Sequence, residues 1–447
     1  MQKQSLSLII LAAGKGTRMK SDLPKVLHKV ANREMLNLVI DAAKTLNPKN
    51  ITLVVSKDVL AYQNDIKSHH PELDLRFVLQ KEKLGTGHAT KAAIEKMGQD
   101  IADKCLILYG DTPLISSKTM TQIISNLDVC DVCIAAFECV NANMYGRLIV
   151  DKQGNLQKIV EFKDANDSEK KINLCNSGIM AINGKKISGL VNKINNNNNS
   201  QEYYLTDIVD IATNSNLTVS YSKVSELEVL GVNSKVELSQ IESLKQDSLR
   251  QEMMQNGVTL IDPKSTFLSF DSKIGKNCII YPNVFLGNGV EIGDNVEIKS
   301  FSHIENAQIG KNCIIGPFAR IRPQSKIADD CKIGNFVEIK KANIGIGTKI
   351  NHLSYVGDCD IGKNSNIGAG TITCNYDGKN KYKTTIGNNS FIGSNCSLIA
   401  PISIGDDCLI GAGSVINKDV DNGDLAIARS KQINIKDGVK KLSKNKY

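Results

Sequence analysis

The 447-residue sequence lacks any apolar run long enough to cross a bilayer. It also lacks an apolar secretory leader, so we expect a cytoplasmic protein with no membrane span. Charge of one sign does not dominate either, because 55 basic residues are opposed by 47 acidic residues and leave a net charge of +8. A net positive charge of this size favours anionic ligands, but it does not distinguish small molecules from nucleic acid.

The C-terminal half carries a short repeat. Between residues 274 and 420 an Ile, Leu or Val returns at nearly every sixth position, and the register is broken once, by a polar insertion from Thr373 to Thr385. A six-residue unit of this kind forms one short strand and a turn, and it buries its apolar side chain only by stacking on its neighbours. We therefore predict a left-handed parallel β-helix of hexapeptide repeats. Its flat faces and open ends favour a homo-oligomer.

The twelve cysteines do not indicate a disulfide framework. Several of them occupy the small position four residues after a repeat anchor, as Cys278, Cys313 and Cys331 do. In a reducing cytoplasm these are expected to be reduced core residues. Cys130 and Cys133 have the spacing of a redox or metal pair, but no second pair lies nearby, so core packing is the favoured interpretation.

The N-terminal half has a different pattern. The apolar strand Leu6–Ala12 leads directly into a Gly-rich basic loop, residues 13–18, with Lys25 close behind. Such a loop can hold phosphates with its N–H groups and cations. Strand-like and helix-like runs then alternate, which predicts a parallel, Rossmann-like α/β sheet. Asp111 follows one strand end, where it could bridge Mg²⁺ to a nucleotide; a turn-forming or capping role is the alternative.

These patterns divide the chain. We expect a nucleotidyltransferase domain at residues 1–230, a linker helix at 231–256 and a repeat domain with a C-terminal tail at 257–447, because helical spacing of apolar residues marks the linker. The basic tail from residue 436 to 447 is most simply a solvated terminus, with a nucleic-acid contact as the alternative.

Motifs in both halves resemble one family. Together they are similar to the bacterial bifunctional N-acetylglucosamine-1-phosphate uridylyltransferases and glucosamine-1-phosphate N-acetyltransferases, and the order of the two halves narrows the resemblance to that family. The matching segments are Leu11-Ala-Ala-Gly-Lys-Gly-Thr-Arg-Met19, Leu23-Pro-Lys-Val-Leu-His28, Leu84-Gly-Thr-Gly-His88, Tyr109-Gly-Asp111, Tyr145-Gly-Arg147, Ile159-Val-Glu161, Asn351-His-Leu-Ser-Tyr355 and residues 368–378.

For the N-terminal half, the resemblance implies attack of N-acetylglucosamine 1-phosphate on UTP with Mg²⁺ and release of pyrophosphate. Arg18 and Lys25 would neutralise phosphate charge. Asp111 and Asn233 match the family's magnesium ligands. The implied nucleotide- and sugar-binding positions are Leu11, Ala12, Ala13, Gly14, Lys25, Gln80, Gly85, Thr86, Tyr109, Gly110, Asp111, Gly146, Glu161, Asn176 and Asn233, of which Gln80, Gly85 and Thr86 would read the uracil and Gly146, Glu161 and Asn176 would hold the sugar.

For the C-terminal half, the resemblance implies acetyl transfer from acetyl-CoA to glucosamine 1-phosphate in a homotrimer, with small-molecule partners and no nucleic acid. His352 would be the base, since neutral imidazole is available near neutral pH. By itself, a histidine in a repeat is more often structural. The implied sugar-phosphate residues are Arg322, Lys340, Tyr355, Asn366 and Lys381, and the implied acetyl-CoA residues are Ala369, Asn375, Tyr376, Ser394, Ala412 and Arg429.

Two other functions stay open from the sequence. One is a nucleotidyltransferase with a single activity whose β-helix is only a scaffold, against which the set His352, Asn375, Tyr376 and Lys381 argues. The other is a non-catalytic sugar-nucleotide sensor, which would be expected to lose Asp111, Asn233 or Lys25.

Overall fold

The computed structural model describes residues 5–139 and 145–443. The chain divides into two compact units, with the boundary between Lys245 and Gln246. That boundary lies inside the helix Lys235–Gln255, within the segment predicted as a linker helix. Residues 444–447 of the basic tail lie outside the described residues.

The first unit is built around one mixed sheet. The strands of the unit are β1 Leu6–Ala12, β2 Lys29–Val30, β3 Arg33–Glu34, β4 Asn50–Val55, β5 Leu75–Leu79, β6 Lys104–Tyr109, β7 Val132–Glu138, β8 Arg147–Val150, β9 Leu156–Val160, β10 Leu174–Asn183 and β11 Val219–Lys223, of which β2 and β3 form a separate two-stranded sheet. Its helices are α1 Met35–Lys44, α2 Lys57–Leu60, α3 Gln63–Ser68, α4 Thr86–Met97, α5 Ser117–Ser125, α6 Gly184–Val191, α7 Asp207–Asn214 and α8 Glu226–Val229, and α9 Lys235–Gln255 follows.

The sheet order is β11-β7-β10-β6-β1-β4-β5, and a short hairpin of β8 and β9 pairs with β10. Four of the six neighbouring pairs in that order are parallel, but β10 runs antiparallel to both β6 and β7, and the β8–β9 hairpin is antiparallel as well. The expectation of an all-parallel sheet is therefore wrong at this strand. The reason is the route of the chain. Leu174, the first residue of β10, pairs with Glu138, the last residue of β7, so the chain re-enters the sheet at the edge where β7 ends.

Helices cover both faces of this sheet. Side chains of β1 alternate between two buried clusters, with Leu8 and Ile10 in the cluster that includes α1 and Ile9 and Leu11 in the cluster that includes α4 and α6. Burial on both faces explains the continuous apolar runs of the sequence. The loops after β1, β5 and β6 leave the sheet at the same edge, since these strands are parallel in the order β6-β1-β4-β5.

The second unit is a parallel β-helix, as the six-residue period predicts. Its strands β12 to β35 are Thr259–Leu260, Lys273–Ile274, Ile279–Ile280, Phe285–Leu286, Glu291–Ile292, Glu297–Ile298, His303–Ile304, Ala307–Ile309, Ile314–Ile315, Arg320–Ile321, Ser325–Ile327, Lys332–Asn335, Glu338–Ile344, Lys349–His352, Tyr355–Ile361, Asn366–Ile367, Ile372–Cys374, Thr384–Ile386, Phe391–Ile392, Ser397–Ile399, Ile402–Ile404, Leu409–Ile410, Val415–Ile416 and Leu425–Ala426, and α10 Gly438–Ser443 follows.

Each coil places its anchor directly over the anchor of the preceding coil. In one ladder Ile298 pairs with Ile315, Ile315 with Ile333 and Ile333 with Ile350. All four of these side chains are fully buried. The column of isoleucines is therefore the core of this unit, and the short strands are held in register by it.

The cysteines are reduced, as expected. All twelve are free thiols, and all except the half-buried Cys374 are buried. Within the β-helix Cys278, Cys313 and Cys331 each donate to a backbone carbonyl of the next coil, at 3.0–3.1 Å. Cys130 and Cys133 are buried too, and the described residues contain no cluster of three or more His, Cys, Asp or Glu side chains suited to a metal ion.

None of the helices in the described parts of the chain is both long enough and apolar enough to span a bilayer.

The isoleucine column predicts a stability difference between two identical substitutions. Ile333→Ala should lower the free energy of unfolding by about 2–5 kcal/mol, because it leaves a cavity at a fully buried position. Ile346→Ala should change it by less than about 0.5 kcal/mol, because that side chain is 52% exposed on the same β-helix. Urea unfolding of the full chain followed by circular dichroism measures both. Equal losses would contradict a core formed by the anchor column.

Candidate active sites

A cavity of about 530 Å³ opens at the edge where β1, β5 and β6 end. It is lined by the end of β1 and the loop that follows it, by the segment after β5, by the end of β6 and by Asn233. The cavity brings together these predicted residues: Leu11, Ala12, Ala13, Gly14, Lys25, Gln80, Gly85, Thr86, Tyr109, Asp111 and Asn233.

Lys25 links the two predicted metal ligands. Its ammonium forms an ion pair with the Asp111 carboxylate and donates to Asn233 Oδ1 at 3.0 Å. The side chains of Lys25 and Asp111 are only 11% and 15% exposed, so water screens their charges weakly. The backbone N–H of Val232 donates to the Asp111 carbonyl at 3.0 Å, which holds the Asn233 segment against the end of β6. A carboxylate and an amide oxygen that share one cation fit the oxygen donors that Mg²⁺ prefers.

The glycine of the first loop that is sterically required is Gly16. It has a φ of +60°, and a Cβ there would lie 2.7 Å from Lys25 Cβ, whereas a Cβ at Gly14 would meet only the end of the Lys25 side chain at 3.9 Å. Gly14 itself lines the cavity, which leaves its backbone open to a ligand. Arg18 lies on the short 3₁₀ turn Thr17–Met19, is exposed and does not line the cavity.

The three predicted sugar-binding residues form a second cluster. The backbone N–H of Asn176 donates to the Gly146 carbonyl at 2.9 Å, and a Cβ at Gly146 would lie 3.4 Å from Glu161 Oε2. Glu161 Oε1 accepts a hydrogen bond from Thr206 Oγ1 at 3.0 Å. Burial raises the pKa of Glu161 above its ordinary value. The antiparallel course of β10 is what places Asn176 near this edge of the sheet.

Tyr109 and Gly110 connect these features. The Tyr109 ring lies against Gly178, where a Cβ would come within 2.6 Å of Tyr109 Cε2. Burial raises the pKa of Tyr109. Gly110 is buried, its N–H donates to the Leu11 carbonyl at 2.9 Å, and a Cβ there would press on Leu36 and Ala12 at 3.1 and 3.2 Å. Gly110 therefore acts through close packing beneath the cavity.

Sequence reasoning missed several residues of this site. Lys15, Lys83 and Glu202 also line the cavity, and Thr206 binds Glu161. Lys15 stands in the basic loop and could have been found there. The sequence carried no signal for Glu202 or Thr206, because they reach the site from a segment more than a hundred residues away from the first loops.

In the β-helix, the predicted phosphate-binding cations lie close together. Arg322 follows Ile321 and Lys340 follows Ile339, at equivalent points of adjacent coils, and the Arg322 N–H donates to the Ile339 carbonyl at 2.8 Å. Lys381 lies close to Lys340, and the ammonium of Lys340 lowers the pKa of Lys381. Glu338 binds Arg322 at 2.7 Å and raises its pKa.

Tyr355 completes this group. Its hydroxyl lies over Gly357, where a Cβ would overlap it, and Gly357 pairs with Lys340 of the adjacent coil. Glu338 is the register partner of Tyr355. Asn366 lies on a different ladder, paired with Lys349 and Phe391.

His352 lies at the end of its strand and is exposed. Its Nδ1 is 2.8 Å from Oδ1 of Asn335, its register partner in the preceding coil. Since an amide oxygen only accepts, this contact places the ring proton on Nδ1 and leaves the Nε2 lone pair free. Asn335 was also missed from the sequence, although its position one coil before His352 was a usable signal.

Most of the predicted acetyl-CoA residues continue the column that starts at His352. His352, Ala369, Ser394 and Ala412 each come two residues after a paired anchor, namely Ile350, Ile367, Ile392 and Ile410. Arg429 joins the end of this column, because its Nη1 donates to the Ala412 carbonyl at 2.6 Å.

The polar insertion folds into a tight loop beside this unit's cations. Asn375 is buried and donates to Asp358 Oδ2 at 2.5 Å. Tyr376 is 59% exposed, pairs with Lys381 in a single antiparallel bridge and donates its hydroxyl to the Gly378 carbonyl at 2.6 Å.

Comparison with known families gives the class of the protein. Residues 8–155 match the MobA-like NTP transferase domain, and residues 271–306, 306–341 and 383–418 match the bacterial transferase hexapeptide (six repeats). The chain is thus a transferase that combines a nucleotidyltransferase domain with a hexapeptide-repeat domain.

Curated relatives identify the family. The chain is 45% identical to the bifunctional protein GlmU of Paramagnetospirillum magneticum over 98% of this chain and 96% of the relative. It is 45% identical to that of Zymomonas mobilis over 96% and 95%, and to that of Wolbachia pipientis wMel over 97% and 99%. The chain belongs to this GlmU family of bifunctional enzymes, which confirms the resemblance read from its motifs.

The contact between Tyr109 and Gly178 predicts unequal effects of two glycine substitutions. Gly154→Ala should cost about 1–2 kcal/mol of stability, because φ is +87° but nothing lies within 4 Å of the new Cβ. Gly178→Ala, at a φ of +86°, should cost roughly 1–3 kcal/mol more, since its Cβ also strikes the Tyr109 ring. Thermal unfolding of the full chain compares them. Equal costs would show that the Tyr109 ring is not held against this glycine.

Proposed function

We propose that the two units carry out successive steps in the synthesis of UDP-N-acetylglucosamine. The repeat domain, residues 257–447, transfers acetyl from acetyl-CoA to glucosamine 1-phosphate. The domain at residues 1–230 then joins N-acetylglucosamine 1-phosphate to UTP and releases pyrophosphate. Residues 231–256 link them. The observation that supports the proposal is that most of the predicted nucleotide-binding residues line the 530 Å³ cavity, while most of the predicted acetyl-CoA residues lie along the His352 column.

For acetyl transfer, His352 Nε2 is the base that takes a proton from the attacking amine of the sugar. Asn335 holds the ring through Nδ1 and so keeps Nε2 free. Arg322, Lys340 and Lys381 bind the sugar phosphate. The two ammonium groups of Lys340 and Lys381 repel each other when no anion is bound. A phosphate that binds between them relieves this repulsion, so it binds more favourably than it would to isolated lysines.

Tyr355 and Asn366 line the sugar in this proposal, and the loop supplies Asn375 and Tyr376. Ser394 bonds near the acetyl group, Ala369 and Ala412 flank the pantetheine arm, and Arg429 meets a coenzyme phosphate. The small size of the two alanines suits that role, because a larger side chain on the column would block an extended ligand.

For uridylyl transfer, the sugar phosphate attacks the α-phosphorus of UTP in line with the departing pyrophosphate. Lys25 neutralises charge on the triphosphate from the cavity wall, Arg18 adds positive charge from the exposed turn outside the lining, and Gly14 lets the triphosphate approach the backbone. Asp111 and Asn233 would hold Mg²⁺, whose charge would offset that of the phosphates. Glu161, Asn176 and Gly146 hold the sugar, with Glu161 accepting from a sugar hydroxyl while Thr206 fixes its other oxygen.

The acetyl-transfer site is completed, in this proposal, by neighbouring copies of the chain in a cytoplasmic homotrimer. The loop that carries Tyr376 and Lys381 is largely exposed, which suits a reach toward a neighbouring subunit. The scaffold alternative, with one activity only, leaves unexplained why His352 is oriented by Asn335 and why Lys340 and Lys381 lie close together.

Substitutions in each unit should separate the activities. His352→Ala should lower acetyl transfer by about 100-fold or more, because it removes the base, and should spare uridylyl transfer. Asp111→Ala should lower uridylyl transfer by roughly 100-fold or more, through loss of a metal ligand, and should spare acetyl transfer. Mass spectrometry of products from glucosamine 1-phosphate, acetyl-CoA, UTP and Mg²⁺ measures both.

His303→Ala is the matched control for the first variant, because His303 lies on the same β-helix and its ring stacks on Phe285 at 4.6 Å. It should keep acetyl transfer within about twofold. A folded variant in which either single substitution silences both reactions would refute the assignment of two separate sites.

Mixed trimers should recover activity that neither parent has. Co-expression of His352→Ala chains with Lys381→Ala chains should restore about a quarter of wild-type acetyl transfer. In randomly assembled trimers, about a quarter of the sites combine an intact base from one chain with an intact loop from its neighbour. The control is co-expression of differently tagged His352→Ala chains, which should stay inactive. Light scattering should give three times the 48.7 kDa chain mass. Absence of complementation would place base and loop on one subunit.

A further inference from the structure

We propose that His88 is a positioning residue that sets the choice of nucleotide base, by fixing which end of the Gln80 amide faces the cavity. This inference rests on the proposed uridylyl transfer, in which Gln80 contacts the base. His88 itself is outside the cavity lining.

The Gln80 side chain is held at two points. Gln80 directly follows β5, its N–H donates to the Val55 carbonyl at 2.9 Å, and its residue is only 7% exposed. Its Nε2 donates to the Gly85 carbonyl at 3.2 Å and lies 3.3 Å from Nδ1 of His88. A carbonyl oxygen is only an acceptor, so the contact with Gly85 favours the orientation in which the nitrogen end of the amide faces it.

The two acceptors are themselves fixed. The Tyr203 N–H donates to the Leu84 carbonyl and the Gly87 N–H donates to the Tyr203 carbonyl, both at 2.8 Å. Gly85 has a φ of +105°, and a Cβ there would lie 2.6 Å from the Tyr203 carbonyl oxygen. Backbone contacts on both sides therefore clamp the start of α4, which carries His88.

This arrangement decides what Gln80 offers to a ligand. Both hydrogens of Gln80 Nε2 are directed at protein acceptors. Its Oε1 is therefore the atom available to a ligand, and no hydrogen-bond donor among the described residues is paired with it. The free group is an acceptor. Uracil carries a hydrogen on N3 and matches it, whereas cytosine carries a lone pair on N3 and repels it.

His88 is the contact that favours this orientation over its reverse. The Gly85 carbonyl also accepts from the Ala89 N–H at 3.2 Å, so it is shared and binds the amide less strongly. Without the His88 acceptor, only the shared hydrogen bond to the Gly85 carbonyl opposes rotation of the amide, so the orientation that presents N–H to the cavity becomes more accessible. Cytosine would then be accepted.

A purely structural role for His88 is the competing explanation, since its ring also lies near the Tyr203 ring with centroids 6.2 Å apart. Loss of packing alone would weaken UTP and CTP equally. The ratio of the two activities therefore separates the roles.

The test measures kcat/KM for UTP and for CTP, with N-acetylglucosamine 1-phosphate, in the wild type, His88→Ala and His88→Asn. We expect His88→Ala to lower the UTP-to-CTP ratio by roughly tenfold, the scale of one lost hydrogen bond. His88→Asn should restore most of the ratio, because its side-chain oxygen can stand where Nδ1 accepts. Acetyl transfer by the same preparations should be unchanged and serves as the folding control.

An unchanged ratio in His88→Ala would overturn the inference, even if both activities fell. A ratio in His88→Asn as low as in His88→Ala would overturn it as well, because an acceptor at that point would then not matter. A wild type that makes no product from UTP would instead refute the proposed uridylyl transfer, while acetyl transfer still reported on the other site.

Discussion

Parallel strand pairing is the constraint on which both units depend. In the first unit it brings the ends of β1, β5 and β6 to one edge, where the loops after them meet around one cavity. In the second unit it places equivalent residues of successive coils side by side, so that Arg322 and Lys340 become neighbours although 18 positions separate them in sequence.

Charge is arranged differently at the two sites. In the N-terminal cavity Lys25 is already balanced by Asp111 and bonded to Asn233, so the pocket holds its polar groups in place through attraction. On the β-helix Lys340 and Lys381 repel each other, and the charge of Lys340 lowers the pKa of Lys381. The first arrangement is organised without an anion, while the second would be stabilised by a bound anion. The buried Thr206 and the half-buried Asn335 hydrogen-bond to Glu161 and His352 and so orient these two side chains.

The features that follow from local pattern were predictable from the sequence. The six-residue period gave the β-helix, and a buried strand before a Gly-rich loop located the cavity, because both signals lie within a few adjacent residues. The antiparallel course of β10 was not predictable, since it depends on the edge at which the chain re-enters the sheet. The contacts of Glu161 with Thr206 and of Gln80 with His88 are likewise set by the final packing, and the resemblance gave no hint that Arg18 would lie away from the cavity lining.

The column from His352 to Arg429 has a consequence of scale. Its members stand on five successive coils of one ladder, and parallel strands are spaced about 4.8 Å apart, so the column is about 19 Å long. If acetyl-CoA binds along this column as proposed, the number of coils sets the distance between the residue at its reactive end, His352, and the residue at its charged end, Arg429. The loss or gain of a single coil between them would then shift one contact relative to the other by about 4.8 Å.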